Sequence, residues 1–127
     1  MSHHRLGLVV ALLALVGMSG VLAQTPDITG TWNFLVDMGS VIGEPVFSFE
    51  QKGETLAGTV SSSRGIQKVT GSIKNDKVVF EFEGGRDGQT FTAVYTGTVE
   101  SATGMRGTVE YAGALDGAGT WVATKKK

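Results

Sequence analysis

Thr29-Gly30-Thr31-Trp32 is the first copy of a four-residue word on which the fold of this chain turns. The word is any residue, then Gly, then Ser or Thr, then a large apolar residue. It returns as Ala57-Gly58-Thr59-Val60, Thr70-Gly71-Ser72-Ile73, Thr96-Gly97-Thr98-Val99, Arg106-Gly107-Thr108-Val109 and Ala118-Gly119-Thr120-Trp121. In every copy the glycine and the apolar residue stand two positions apart. On a strand they share one face, and the hydroxyl residue turns to the other. The word describes architecture and carries no chemistry of its own.

Working outward from it, apolar and polar residues alternate along most of the chain after Gln24, which is the signal of half-buried strands. Eight strands are predicted, at about 28–36, 46–52, 55–62, 66–74, 77–83, 89–100, 105–112 and 118–124. The fifth is the clearest, with Val78, Phe80 and Phe82 against Val79, Glu81 and Glu83. Asn75-Asp76 reads as a two-residue hairpin turn, because both residue types tolerate positive φ. Gly84-Gly85-Arg86-Asp87-Gly88 reads as a glycine-rich hairpin loop. Asp37 to Glu44 reads as a longer loop closed by Pro45.

Short connections between successive strands predict an antiparallel meander rather than a Greek key, which needs longer crossovers. Eight strands is the number at which a sheet closes into a small barrel and removes its own edges. The fold class predicted is therefore all-β, an eight-stranded antiparallel up-and-down barrel. An open sheet or a two-layer sandwich is the alternative. The repeated glycine fits closure, since a small barrel bends its strands sharply and crowds its concave side.

In such a meander alternate connections fall at opposite ends. The segments 37–44, 62–65, 84–88 and 113–117 share one end, which is the predicted mouth. The turns at 52–54, 75–76 and 101–104 share the other end with both termini of the barrel. The inward faces carry Trp32, Phe34, Phe47, Phe49, Phe80, Phe82, Phe91, Tyr95, Tyr111 and Trp121 among aliphatic residues, interrupted by Gln51, Gln67 and Gln89. No charge points inward. Two readings follow: a filled core, or an apolar pocket with a few polar handles.

Composition removes several chemistries. The 127 residues include no cysteine, so disulfides and thiolate metal sites are impossible, and the formal charge of −1 indicates no basic nucleic-acid surface. The only histidines are His3 and His4. They precede an apolar run, Leu6 to Leu22, that ends in Val21-Leu22-Ala23, with small residues at the −3 and −1 positions of a cleavage site. This is the layout of a secretory signal peptide over 1–23, leaving one domain, 24–127, secreted or periplasmic, with no stable membrane anchor. Such a domain has no Ser-His pair and no His or Cys metal site. Glu81 and Glu83 lie on an outward face rather than flanking a cleft. Asp37, Glu44, Asp87 and Asp116 share the mouth end without calcium-loop spacing. No enzyme, no cofactor and no metal are expected.

Ile28-Thr29-Gly30-Thr31-Trp32 resembles the opening strand of the avidin family, and the wider Gly-x-Trp start resembles that of lipocalins and their relatives. Thr55 to Val60 and Gly117 to Thr124 are similar in style to avidin strands. The resemblance implies an eight-stranded barrel that takes a small molecule at its open end, and it carries Ser40 over as a loop residue at the site. Avidins box their ligand with several tryptophans, whereas this chain has Trp32 and Trp121 alone.

The function expected is binding of a small apolar or amphipathic ligand in the barrel or at its mouth. The residues expected to contact it are Trp32, Phe34, Ser40, Gln51, Arg64, Arg86, Tyr95, Tyr111 and Trp121. Gln51, Tyr95 or Tyr111 would orient the ligand, the 37–44 loop would gate it, and Arg64 and Arg86 could meet an anionic head group. The alternative is a filled-core interaction domain working through outward Leu35, Val46, Val79, Val94 and Val122, surfaces that would also admit a homo-oligomer.

Overall fold

The wall of the protein is nine stretches of strand: β1 (Gly30–Asp37), β2 (Ile42–Gly43), β3 (Val46–Lys52), β4 (Thr55–Ser62), β5 (Gly65–Lys74), β6 (Lys77–Arg86), β7 (Gln89–Ser101), β8 (Gly104–Gly113) and β9 (Gly117–Lys125). The computed structural model describes residues 25–127, without the Arg86 side chain; the segment read as a signal lies outside the described residues. Each strand pairs antiparallel with the next, and β1 also pairs with β9 from Trp32↔Lys125 to Asp37↔Thr120. The sheet is thereby closed into an up-and-down barrel.

β2 and β3 form a single wall strand. Val36 faces Gly43 and Asn33 faces Val46, so one register runs through both pieces. Pairing lapses between them because Pro45 has no N–H to give. Phe34 N–H still donates to the Pro45 carbonyl at 3.1 Å. Eight strand positions therefore complete the barrel, as the alternation predicts.

Two predicted loops are corrected. The 37–44 segment is not a long loop, because the β1 register continues to a tight turn at Gly39-Ser40. There Met38 N–H donates to the Val41 carbonyl at 2.9 Å, and Asp37 Oδ1 accepts from Gly39 N–H at 2.8 Å. The segment expected to gate a ligand is thus a hairpin with a two-residue turn. The 84–88 segment is likewise mostly strand: Gly84, Gly85 and Arg86 continue β6, leaving Asp87-Gly88 as the turn, with φ of 53° and 81°. The predicted turn at Asn75 is present, with φ of 54°.

Inward positions of all eight wall strands meet in one core. Trp32, Phe34, Phe47, Phe80, Tyr95 and Trp121 are its largest buried side chains. Burial of each large apolar side chain stabilises by roughly 1.5–3 kcal/mol. The rings pack as an interlocked set: Phe80 stacks on Tyr95 at 5.2 Å, and Phe34 stacks on Trp121 at 4.9 Å. Edge-on contacts of Phe34 with Phe80 and Tyr95 join the two stacks. Inward glycines give the wall its curvature. A Cβ on Gly107 would overlap the Thr96 carbonyl oxygen and lie 2.6 Å from the Gly97 Cα. At Gly107 the crowding thus comes from the backbone of the adjacent strand, whereas at Gly97 the Trp121 ring shares in it.

One end is shut. Ile28, 1% exposed, lies under the barrel, and its carbonyl accepts the Trp32 Nε1–H at 3.0 Å. Gln51 ties the entering chain down: its Oε1 accepts from Ile28 N–H at 2.9 Å, and its Nε2 donates to the Pro26 and Gly53 carbonyls at 3.0 and 3.2 Å. The lower barrel is filled, so whatever space there is lies at the other end.

Candidate functional site at the barrel mouth

The filled core stops short of the end formed by the β1–β2, β4–β5, β6–β7 and β8–β9 connections. There a cavity of about 630 Å³ opens. That lies within the range of about 300–1,000 Å³ usual for small-molecule pockets. Its lower walls are Val36, Val60, Phe82, Phe91, Tyr95 and Tyr111. These alternate with outward polar residues on β1, β4, β6, β7 and β8, so the strand pleat aims them inward. Phe91 and Tyr111 stack at 5.7 Å, and Phe82 meets Phe91 edge-on at 6.2 Å. Gly84 makes room for this arrangement, since a Cβ there would lie 2.5 Å from the Phe91 ring.

The upper walls come from the connections. Met38, Val41, Ile42 and Leu115 supply apolar surface, and Ser62, Ser63, Arg64 and Gln67 supply polar groups. Glu44 and Asp116 stand on the rim. Val41 and Ile42 are each 63% exposed, so part of the cavity's upper apolar wall lies open.

Tyr95 is the polar group set deepest. Burial first, and the neighbouring Tyr111 hydroxyl second, push its phenol well above the usual range. It is a neutral hydroxyl that can donate a hydrogen bond at any physiological pH. Arg64 sits at the opposite extreme, on the β4–β5 turn, where Ser62 Oγ accepts its backbone N–H at 3.2 Å. Its guanidinium lies 5.7 Å from the Phe91 ring centre. Phe91 belongs to β7, so this side chain reaches past β5 and β6 and lies over the opening. A cation held over a ring face is attracted by about 0.5–1 kcal/mol at exposed sites.

Of the residues expected from sequence to contact a ligand, the structure gathers Arg64, Tyr95 and Tyr111 around this cavity. Trp32, Phe34 and Trp121 are buried below it in the core. Trp121 spends its indole N–H on the Thr108 carbonyl at 2.8 Å. Gln51 is at the shut end, with its amide committed to backbone groups. Ser40 is exposed at the tip of the β1–β2 turn and does not line the cavity. The Arg86 side chain lies outside the described groups. Gln89, read as an inward interruption, is exposed beside the β6–β7 turn. Sequence reasoning missed Met38, Val41, Ile42 and Leu115; the signal available was that large apolar residues occupied segments read as loops.

The site can hold a molecule by apolar contact, ring stacking, hydroxyl and amide hydrogen bonds and one guanidinium. Among the described residues no three His, Cys, Asp or Glu side chains converge as a metal site. No protein-family model, no curated protein and no solved structure matches this chain.

Proposed function

We propose that this chain is an exported small-molecule carrier or scavenger, lipocalin-like or avidin-like in plan, that binds an apolar or amphipathic ligand in the mouth cavity. The observation that supports it is the division of the interior: aromatic side chains fill the lower barrel, and a cavity of about 630 Å³ is left where the resemblance puts a ligand. A barrel of this size can fill its whole interior with side chains. Four aromatic side chains with few polar partners make the remaining space suited to an apolar body.

The test is native mass spectrometry of the exported form, beginning at Gln24, followed by thermal shift against a panel of apolar compounds. A co-purified adduct, or a saturable shift with compounds of pocket size, supports the reading. Protein that is uniformly unliganded, with no shift across the panel, overturns it.

A second reading rests on the outer wall. Leu35 and Val122 are directly opposed across the β1–β9 pairing and are 50% and 45% exposed. With Val46 they border a shallow groove of about 360 Å³ beside the Pro45 lapse. Contiguous apolar surface of this kind marks an association face. Sedimentation of a strict monomer at high concentration would remove it.

A further inference from the structure

The mouth cavity has a direction, and we infer from it that the ligand is an anionic amphiphile, with an acidic group at Arg64 and an apolar body against Phe82, Phe91 and Tyr111. This rests on the reading of the cavity as a ligand site and adds the charge and orientation of what fills it.

Three observations carry it. The first is where Arg64 points. An arginine in an exposed turn ordinarily extends into water, but this one lies across the opening, 5.7 Å from the centre of a ring that forms the cavity wall. Any molecule seated on Phe91 would meet its guanidinium.

The second is that no carboxylate lies within 4.0 Å of Arg64 among the described residues, where the ion pairs found are Lys77–Asp76 and Arg106–Glu100. A guanidinium has five N–H donors in a fork that fits a carboxylate, sulfonate or phosphate. Its ring contact leaves those donors unmet by an anion.

The third is the arrangement of charge around the rim. Glu44 follows β2 and Asp116 lies between β8 and β9, so the two acids flank β1. Arg64 lies between β4 and β5, beyond β3 from β1, and is the cation among the described residues lining the cavity; Asp87, on the β6–β7 turn of the same end, does not line it. A ligand anion is repelled from the β1 side and drawn to the Arg64 side. The polar neighbours on that side, Ser62, Ser63 and Gln67, can each donate a hydrogen bond. Below them the neutral Tyr95 hydroxyl can donate without opposing an anion. A cationic amphiphile would have the acids but would also have Arg64 across its path to the rings.

Two fluorophores with one body test this. N-phenyl-1-naphthylamine is neutral, and 8-anilinonaphthalene-1-sulfonate is the same ring system with a sulfonate added. Both are titrated into the folded protein beginning at Gln24 at low salt, with Arg64→Gln and Arg64→Lys beside it. Melting curves check that all three proteins remain folded. Arg64 is an exposed turn residue, so neither change should disturb the barrel.

The expected result is saturable binding of both probes, with the sulfonate preferred by about 3-fold to 10-fold, as a charge-assisted contact at a part-exposed site allows. Arg64→Gln should abolish that preference, the readout being the ratio of the two affinities in each protein rather than either affinity alone. Arg64→Lys should keep part of it, and added salt should weaken it. Binding of both probes with no preference, or a preference that survives in Arg64→Gln, overturns the inference while the cavity remains a ligand site. Binding of neither probe overturns the ligand site itself.

Discussion

At Gln51 a single side-chain amide accepts from Ile28 N–H and donates to two backbone carbonyls, so three backbone groups at the shut end depend on it. Gln51→Ala should destabilise by about 1–3 kcal/mol, because it leaves the N–H of a buried residue unpaired. Amide exchange at Ile28 should quicken with it; an unchanged denaturation midpoint and unchanged exchange would remove the plug from this account. Gly107 is constrained from outside the chain's own torsions. Its missing Cβ is the space taken by the Thr96–Gly97 backbone, so Gly107→Ala should cost about 1–3 kcal/mol by overpacking, and outward Thr108→Ala much less. Equal costs in denaturant would contradict the inward assignment. Tyr95 links burial to pH. Its phenol is raised in the folded state, so the unfolded chain ionises first as pH passes about 10. Below that pH both states hold the proton and stability is flat. Above it the unfolded state is favoured by up to about 1.4 kcal/mol per pH unit. Tyr95→Phe should remove this part of the alkaline decline, measured as the difference between the two proteins in urea from pH 8 to 11.

Strands and hairpins follow the same physics at the next scale. Seven copies of one antiparallel step build most of the wall, and in each the alternation of side chains sets which face is buried. The exception is the β2–β3 strand, where Pro45 stands opposite Phe34. In an antiparallel pair that exchanges both bonds, the Phe34 carbonyl would receive the N–H of residue 45. Proline cannot supply it. Pro45→Thr should let the ladder run unbroken from Val46 to Ile42. The bond gained is worth about 1 kcal/mol, and the conformational restriction lost with proline costs about 0.4–1 kcal/mol. Net stability should therefore change little, while the new amide should be protected in hydrogen exchange. Fast exchange there would show that the lapse has another cause than the missing donor. The glycine-rich segment of β6 teaches the converse. Gly84 and Gly85 look like loop residues, but Gly84 is in the wall because the Phe91 ring needs its space.

For the whole molecule, closure is the decisive contact. β1 and β9 are neighbours in space and lie at opposite ends of the described chain, so their pairing costs the most chain entropy and removes both sheet edges at once. Leu35→Cys with Val122→Cys places two thiols at directly opposed, exposed positions across this seam in a chain that has no other cysteine. Oxidation should close a loop of about 87 residues and raise stability by about 2–4 kcal/mol over the reduced form. Failure of the two thiols to oxidise within the monomer would mean that the seam is not held in this register. The same closure creates the functional asymmetry. One end is plugged by the chain entering under Trp32, and the other is left open by connections too short to fold over it.

The alternation of apolar and polar residues, with the glycine word, was enough to give the strand number, the inward faces and the meander, because strand period and short connections are local properties of a chain. It also placed Arg64 at the mouth end, since hairpin order alone sorts connections between the two ends of a barrel. Local pattern could not say that Gln51 is spent on Ile28 and Pro26, or that Trp32, Phe34 and Trp121 lie below the cavity. Each depends on how far up the barrel a residue sits once the strands tilt and the ends are filled. Nor could it say that Met38 and Leu115 turn in to line the mouth, or that Arg64 crosses to a ring two strands beyond its own turn. Those positions are set by the packing of residues distant in sequence, and only the closed tertiary structure brings them together.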